Sequence, residues 1–510
     1  MDNVKTLFFI VILLTSYSVS SLASTHQTDD LDSSPLSATQ RQQLDSIWLE
    51  NQQLSTHAHD ALDFIAASAH HGLSPNHYHH DRLKQFTLSA DFTSSSQFSQ
   101  LLTDGLLKLI SDISIGQFKS SVVDPEWFIP QRKINPIAFL QQAVLQPHFK
   151  SQLNALSPDT PEYHALTQAL SRYQSYVDRG GWLQIDTMPL TIQGDSHTQI
   201  PAIRSRLSIE YDLSLSTDKK VTFYDKQLEQ VVIHFQKKHG LKTDGIIGYK
   251  TRKAMNVSAP ERVQQIKVSL ERLRWMPKDL GSRYLMINVA NYTLTAISEG
   301  DEKLNMRVIV GRKSRQTPSF SATLNHLVFN PYWNVPKKLA RLDLLPKQQA
   351  DLNYFYLNDI RVFTTENGHK VEHEPYTIDW QSVNSTNFPY FFRQDPGEHN
   401  ALGKLKFMFQ NPWGIYLHDT AHKELFEQDM RSLSSGCIRV EDPIALANFS
   451  LTTTPKERVL ELIENKENKG LKLRKSLSLY AVYFTVWSEK GEVYFSPDLY
   501  QRNQLLSKLL

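Results

Sequence analysis

His418-Asp419-Thr420, followed by Ser434-Ser435-Gly436-Cys437-Ile438-Arg439 with the thiol nineteen positions after the imidazole, is the stretch that decides how this chain reads. Cys437 is the single cysteine in 510 residues. A thiol becomes a strong nucleophile once deprotonated, and a nearby imidazole is a common means of deprotonating it near neutral pH. A lone cysteine by itself reads as a small buried apolar residue. Its neighbours change that reading. Ser435 and Gly436 allow a tight turn that exposes sulfur. Asp442-Pro443 has the pattern of an N-cap followed by proline at the first helical position. The expectation is a loop thiol near a helix N-terminus, where negative charge is favoured.

The start of the chain gives the thiol a context. Lys5 precedes an apolar run, Leu7 to Leu14, and Ser21-Leu22-Ala23 supplies small residues before a cleavage point. The run is too short for a comfortable membrane span. Residues 1–23 are therefore expected to be a signal peptide, with export and no membrane span after cleavage; an uncleaved membrane anchor is the less favoured reading. With no cysteine near the cleavage point, a lipid-modified N-terminus is excluded. One thiol in an oxidising compartment cannot form an internal disulfide, so Cys437 is either inert or kept for chemistry. The formal charge of +2 and pI of about 8.3 imply no surface suited to nucleic acid. At 58.6 kDa, about three domains are expected.

Residues 24–37 are rich in Ser, Thr and Asp and read as a linker. From residue 38 the pattern is helical. Leu62, Ile65 and Ala66 form one stripe, and Leu102, Leu106, Leu109, Ile110 and Ile113 another. His70, His71, His77, His79 and His80 lack ligand partners at a recognised spacing, so no metal is expected. A compact helical module follows, with Leu228, Val231, Val232 and Phe235 on one face and a turn at residues 242–248. Short strands are then expected at 284–289, 292–297, 306–310 and 325–329, suggesting a β-sandwich or barrel-like sheet. Between Asn334 and Gly403 the rhythm breaks into a helical piece near 339–345 and then long irregular sequence. Strands return at 404–409 and 415–417, the second delivering His418. A helix after Pro443 and strand-like runs at 477–486 and 492–495 close the chain.

Two resemblances rest on these residues. Phe235-Gln236, Gly240-Leu241, Asp244-Gly245, Gly248 and Thr251 resemble the signature of the small peptidoglycan-binding module. The His418 and Cys437 segments resemble the L,D-transpeptidase catalytic domain. So do Val310-Gly311-Arg312, Thr317-Pro318, Phe329 to Pro336 and Asn400-Ala401-Leu402-Gly403. The whole chain is similar to the larger periplasmic members of that family. The implied fold class is multidomain α+β: a helical scaffold (38–215), a three-helix peptidoglycan-binding module (216–258), and a mainly β catalytic domain (280–455). An inserted lid would span about 336–402. Residues 456–510 would form a helix and strands packing on the scaffold or the catalytic domain.

The resemblance implies a two-step acyl transfer on peptidoglycan stem peptides, without a cofactor or metal, in cell-wall biogenesis and cell shape. Glycan and other cell-wall synthesis proteins are the implied partners, and carbapenems the implied inhibitors. Cys437 would be the nucleophile and His418 its base. A main-chain carbonyl near Ser435 would orient the imidazole, with the Asp419 side chain pointing away. The N–H groups around Gly436 and Cys437 would stabilise the oxyanion. Tyr416 and Trp333 would line the substrate groove. Arg439 has two readings, holding a stem-peptide carboxylate or bracing the loop through backbone carbonyls, of which bracing is preferred. Water opening the same thioester would give a hydrolase, and loss of chemistry a binding protein.

Overall fold

The computed structural model describes residues 38–89, 95–211, 213, 215, 218 and 221–510. The expected signal peptide and linker lie outside the described residues. The C-terminal region is built on nine strands: β1 (Arg283–Asn288), β2 (Thr293–Ser298), β3 (Asp301–Gly311), β4 (Phe320–Phe329), β5 (Leu405–Phe409), β6 (Leu417–His418), β7 (Ser432–Ser434), β8 (Ile438–Val440) and β9 (Lys469–Val482). Their order is β7-β3-β8-β6-β5-β4-β9-β1-β2, and β2 also pairs with β3, so the hydrogen-bonded sheet closes on itself. Closure removes the open edge that a sheet would otherwise expose. Most pairs are antiparallel, but β6–β8, β9–β1 and β7–β3 are parallel.

Alternation sorts the residues of these strands. Leu405, Phe407, Phe409, Leu417, Ile438 and Val440 point into the sheet's core. The residues between them, Lys406, Met408, His418 and Arg439, take the other face because successive side chains in a strand alternate. That opposite face also carries Tyr416 and Cys437.

The region between β4 and β5 differs from the expected irregular sequence. It folds as a subdomain with its own four-stranded sheet, built from Trp333–Asn334, Phe391–Gln394, Ile360–Glu366 and His369–His373. Phe355, Trp380, Phe388 and Phe392 pack in its core. Its strands were hidden because their outward positions are charged or polar, as in His369–His373, where no residue is fully buried.

Two boundaries also move. β9 lies between β4 and β1 inside the closed sheet, so residues beyond 455 complete that sheet as well as packing against its neighbours. The small module's three helices are Ile200–Tyr211, Lys226–Lys238 and Tyr249–Met255, and the first precedes the boundary expected at 216. Within this module Gln236 is buried and bonds Gly245 N–H, the Ile246 carbonyl, Asp244 and Thr251. The signature residues thus build the fold locally.

Helix Ala259–Trp275 joins the parts. It starts with a capping box at Ser258 and Glu261, and its apolar residues pack with helix Pro161–Asp178 and with Val482, Phe484, Val486 and Phe495. Its buried Arg272 pairs with Asp124 of the scaffold, which also holds Arg502. Among the described residues no helix is long and apolar enough to cross a membrane. In the histidine-rich stretch His79 pairs with Asp104 and His80 with Asp81.

Candidate active site

Strand register assembles the site. Lys406 on β5 is the cross-strand partner of His418 on β6, and His418 is the partner of Arg439 on β8. These three therefore form one row across three strands. Tyr416 and Cys437, each two residues before a member of that row, share its face. The rings of Tyr416 and His418 lie 5.5 Å apart, and the Tyr416 hydroxyl is hydrogen-bonded to the Cys437 sulfur. Trp333 donates to the Tyr416 oxygen from the base of the inserted subdomain. The structure thus brings Cys437, His418, Tyr416, Trp333 and Arg439 together.

The loop carrying the thiol is tightly tied. Gly436 has φ of 116°, a conformation that L side chains rarely adopt. Ser434 Oγ donates to the Cys437 carbonyl and accepts from the Gly436 N–H. Thr317 Oγ1 accepts from the Gly311 N–H at 2.9 Å and donates to the Gly436 carbonyl at 2.8 Å. Ser435 Oγ is exposed and accepts from Arg315 at 2.9 Å. Because Ser434 engages the Gly436 amide, that group is not free for an oxyanion. The Cys437 N–H takes no part in these bonds and is the better donor. Ser434, Thr317 and Arg315 were not singled out for roles from sequence; the Ser434 hydroxyl acts within its own turn, whereas Thr317 and Arg315 acquire meaning through contacts over a hundred residues away.

The imidazole is oriented by a different carbonyl from the one expected. His418 Nδ1–H donates to the Asp419 carbonyl, which leaves Nε2 as the acceptor. The Asp419 side chain does point elsewhere, accepting from the Lys404 and Thr420 amides and pairing with Lys423. Burial, reinforced by Arg439, pushes His418 down to about 3. Burial also pushes the Cys437 thiol up. Both groups are consequently neutral near pH 7. The sulfur's hydrogen-bond partners are Tyr416 and, at 3.9 Å, the Gly414 carbonyl, and the imidazole is not among them. Catalytic hydrogen bonds often tighten only when substrate binds.

A helix does begin at Pro443 with Asp442 capping Ala445. Strand β8 carries the chain away from the thiol first. At about 3.3 Å per residue, the helix start is on the order of 15 Å off, beyond the reach of its first turn. The helix N-terminus thus does not directly follow the thiol, and its first turn is capped by Asp442. The bracing role preferred for Arg439 also fails. Its guanidinium makes no hydrogen bond or ion pair among the described residues, and its buried Nε lacks a partner. A groove of about 750 Å³ opens beside the thiol, lined by Lys406, Met408, Asn411, Gly414, Ile415 and Tyr416.

Residues 282–459 match the family described as L,D-transpeptidase catalytic domain. Residues 196–255 match one described as "Putative peptidoglycan binding domain", and residues 40–170 one described as Scaffold domain. The chain therefore contains a region that matches the L,D-transpeptidase catalytic domain, together with regions that match a peptidoglycan-binding domain and a scaffold domain. A curated relative, "Putative L,D-transpeptidase" from Haemophilus influenzae, is 37% identical over 242 residues; the match spans 46% of this chain and 47%, about half, of that relative. Solved L,D-transpeptidase structures from Xylanimonas cellulosilytica and Stackebrandtia nassauensis align at 12% and 11% identity. They cover 58% and 61% of this chain and 99% and 98% of theirs, with TM-scores of 0.18 and 0.23.

Proposed function

We propose that the protein is an exported peptidoglycan L,D-transpeptidase that works through a Cys437 thioester. The observation that carries this reading is one sheet face holding a loop-borne thiol, a neutral imidazole with its acceptor nitrogen free, and an open groove beside them, within a domain of that family. In the first step His418 Nε2 takes the thiol proton while sulfur attacks the carbonyl at the L-centre of diaminopimelate in a donor tetrapeptide. The Cys437 N–H faces the developing oxyanion. The imidazolium then returns its proton to the departing D-alanine amine, leaving a thioester. An amine from a neighbouring stem adds to that thioester, loses its proton to His418 and expels the thiol, giving a 3→3 cross-link.

A neutral pair, a buried imidazole beside a half-buried thiol, suits this sequence. The thiol stays protonated until a substrate carbonyl is in place, and the weakly basic imidazole readily gives its proton back. Tyr416 and Trp333 line the donor side, and the inserted subdomain acts as a lid that excludes water and favours aminolysis. Incubation with a diaminopimelate tetrapeptide followed by mass spectrometry tests the proposal. Cross-linked dimer plus free D-alanine is the expected result. Tripeptide without dimer would replace transfer by hydrolysis, and unchanged tetrapeptide would leave only binding.

A further inference from the structure

Three positively charged or chargeable groups stand in register across β5, β6 and β8, and the outer two have no anionic partner. Lys406 makes no hydrogen bond or ion pair among the described residues; its Nζ lies 3.8 Å from the Tyr416 ring centre. A lysine half-buried over an aromatic face, with no carboxylate beside it, has lost hydration without gaining a counter-ion. Desolvation lowers its affinity for a proton, and negative charge on Cys437 would restore it. On the other side of His418, Arg439 is likewise without a partner, with Glu424 its only nearby carboxylate.

We propose that Lys406 is a substrate-recognition residue that binds the terminal α-carboxylate of the amino acid leaving in the first step. This rests on the acyl-transfer reading above. Lys406 lines the groove beside the thiol, together with Gly414, whose carbonyl is 3.9 Å from the sulfur, and Tyr416, whose hydroxyl meets it. In a donor whose scissile carbonyl sits at that sulfur, the terminal carboxylate lies only one residue further on. A cation one side chain from the nucleophile is thus placed for that group. Arg439, beyond the imidazole, is on the opposite side and is left for a carboxylate elsewhere on the donor.

The arrangement also has an electrostatic consequence. Arg439, Lys406 and Lys423 all disfavour a protonated His418. A carboxylate seated on Lys406 removes one of those repulsions as the donor arrives. The imidazole then becomes a better proton acceptor at the moment the thiol must lose its proton.

Two donor tetrapeptides decide the matter, one with a free C-terminal carboxylate and one with a C-terminal carboxamide. The readout is the ratio of their acylation kcat/KM values, followed as thioester mass and release of D-alanine or D-alaninamide. Wild type is expected to prefer the acid by about tenfold or more, the size of a charge-assisted hydrogen bond. Lys406→Met should bring the ratio close to one, Lys406→Arg should preserve most of it, and Arg439→Gln should leave it in place. A general effect on the thiol moves both peptides equally and does not alter the ratio. Iodoacetamide labelling of Cys437 reports that each variant retains its site. Equal use of both peptides by wild type, an unchanged ratio in Lys406→Met, or its collapse in Arg439→Gln would each overturn the assignment. Failure of wild type to form a thioester with either peptide would instead overturn the acyl-transfer reading on which it rests.

Discussion

Arg315 donates a 2.9 Å hydrogen bond to Ser435 Oγ, two residues before Cys437, while its other side-chain contacts go to Asp343 in the inserted subdomain. Arg312 reaches the same carboxylate at 3.2 Å. The inserted subdomain is therefore connected to the loop that carries Cys437 through the Arg315 side chain.

If Asp343 anchors the lid, Asp343→Ala should shift products from dimer towards tripeptide. A partly exposed ion-pair cluster is worth about 1 kcal/mol, so a change of about fivefold is expected. Product ratios by mass spectrometry check this, and an unchanged ratio in the folded variant would leave the contact a purely structural one.

Intact-mass measurement after exposure to a carbapenem should show one adduct on wild type and none on Cys437→Ala. The strained lactam carbonyl stands in for the donor carbonyl. An adduct surviving the substitution would place the nucleophile elsewhere.

His418→Ala should slow acylation by about 10²–10⁴. The free thiol should nevertheless alkylate with iodoacetamide along a similar pH curve in both proteins, rising through and above pH 9. Burial raises the thiol and keeps the imidazole neutral, so no imidazolium stabilises a thiolate at rest. A wild-type inflection well below pH 8, lost in the variant, would contradict the neutral pair.

Thr317→Val keeps the shape but removes the hydroxyl shared by Gly311 and Gly436. Each backbone group losing its partner costs about 1–3 kcal/mol. Thermal melting should show a clear loss of stability, and Cys437 acylation should fall even where the protein remains folded.

Stability should decline as pH falls from about 6.5 towards 5, above the usual carboxylate range. Burial lowers His71 to about 4 and both His239 and His418 to about 3. The unfolded chain takes up these protons near pH 6.5 while the native state does not, so the stability present above that value is lost on acidification. Half-buried Glu162, raised to about 7 by desolvation, acts in the opposite direction, but one carboxyl opposes three imidazoles. Differential melting across this window gives the slope, and His71→Gln should flatten it.

By itself the sequence determined the class of domain and singled out Cys437 and His418 as the candidate pair, because a lone cysteine after Ser-Gly and a histidine ending an apolar strand are local patterns with local causes. It also determined most strands of the closed sheet and the second and third helices of the small module, whose periodicity is written in consecutive residues. Only the tertiary structure decided that Lys406, His418 and Arg439 form one row, since register between β5, β6 and β8 depends on pairing segments far apart in the chain. It likewise decided that the Asp419 carbonyl orients the imidazole, that β8 separates the thiol from the helix start, and that β9 closes the sheet. The physical reason is the same in each case. Hydrogen bonds and charge interactions act over a few ångströms in space, and the partners that answer Thr317, Arg315 or Asp124 stand more than twenty-five residues away along the chain.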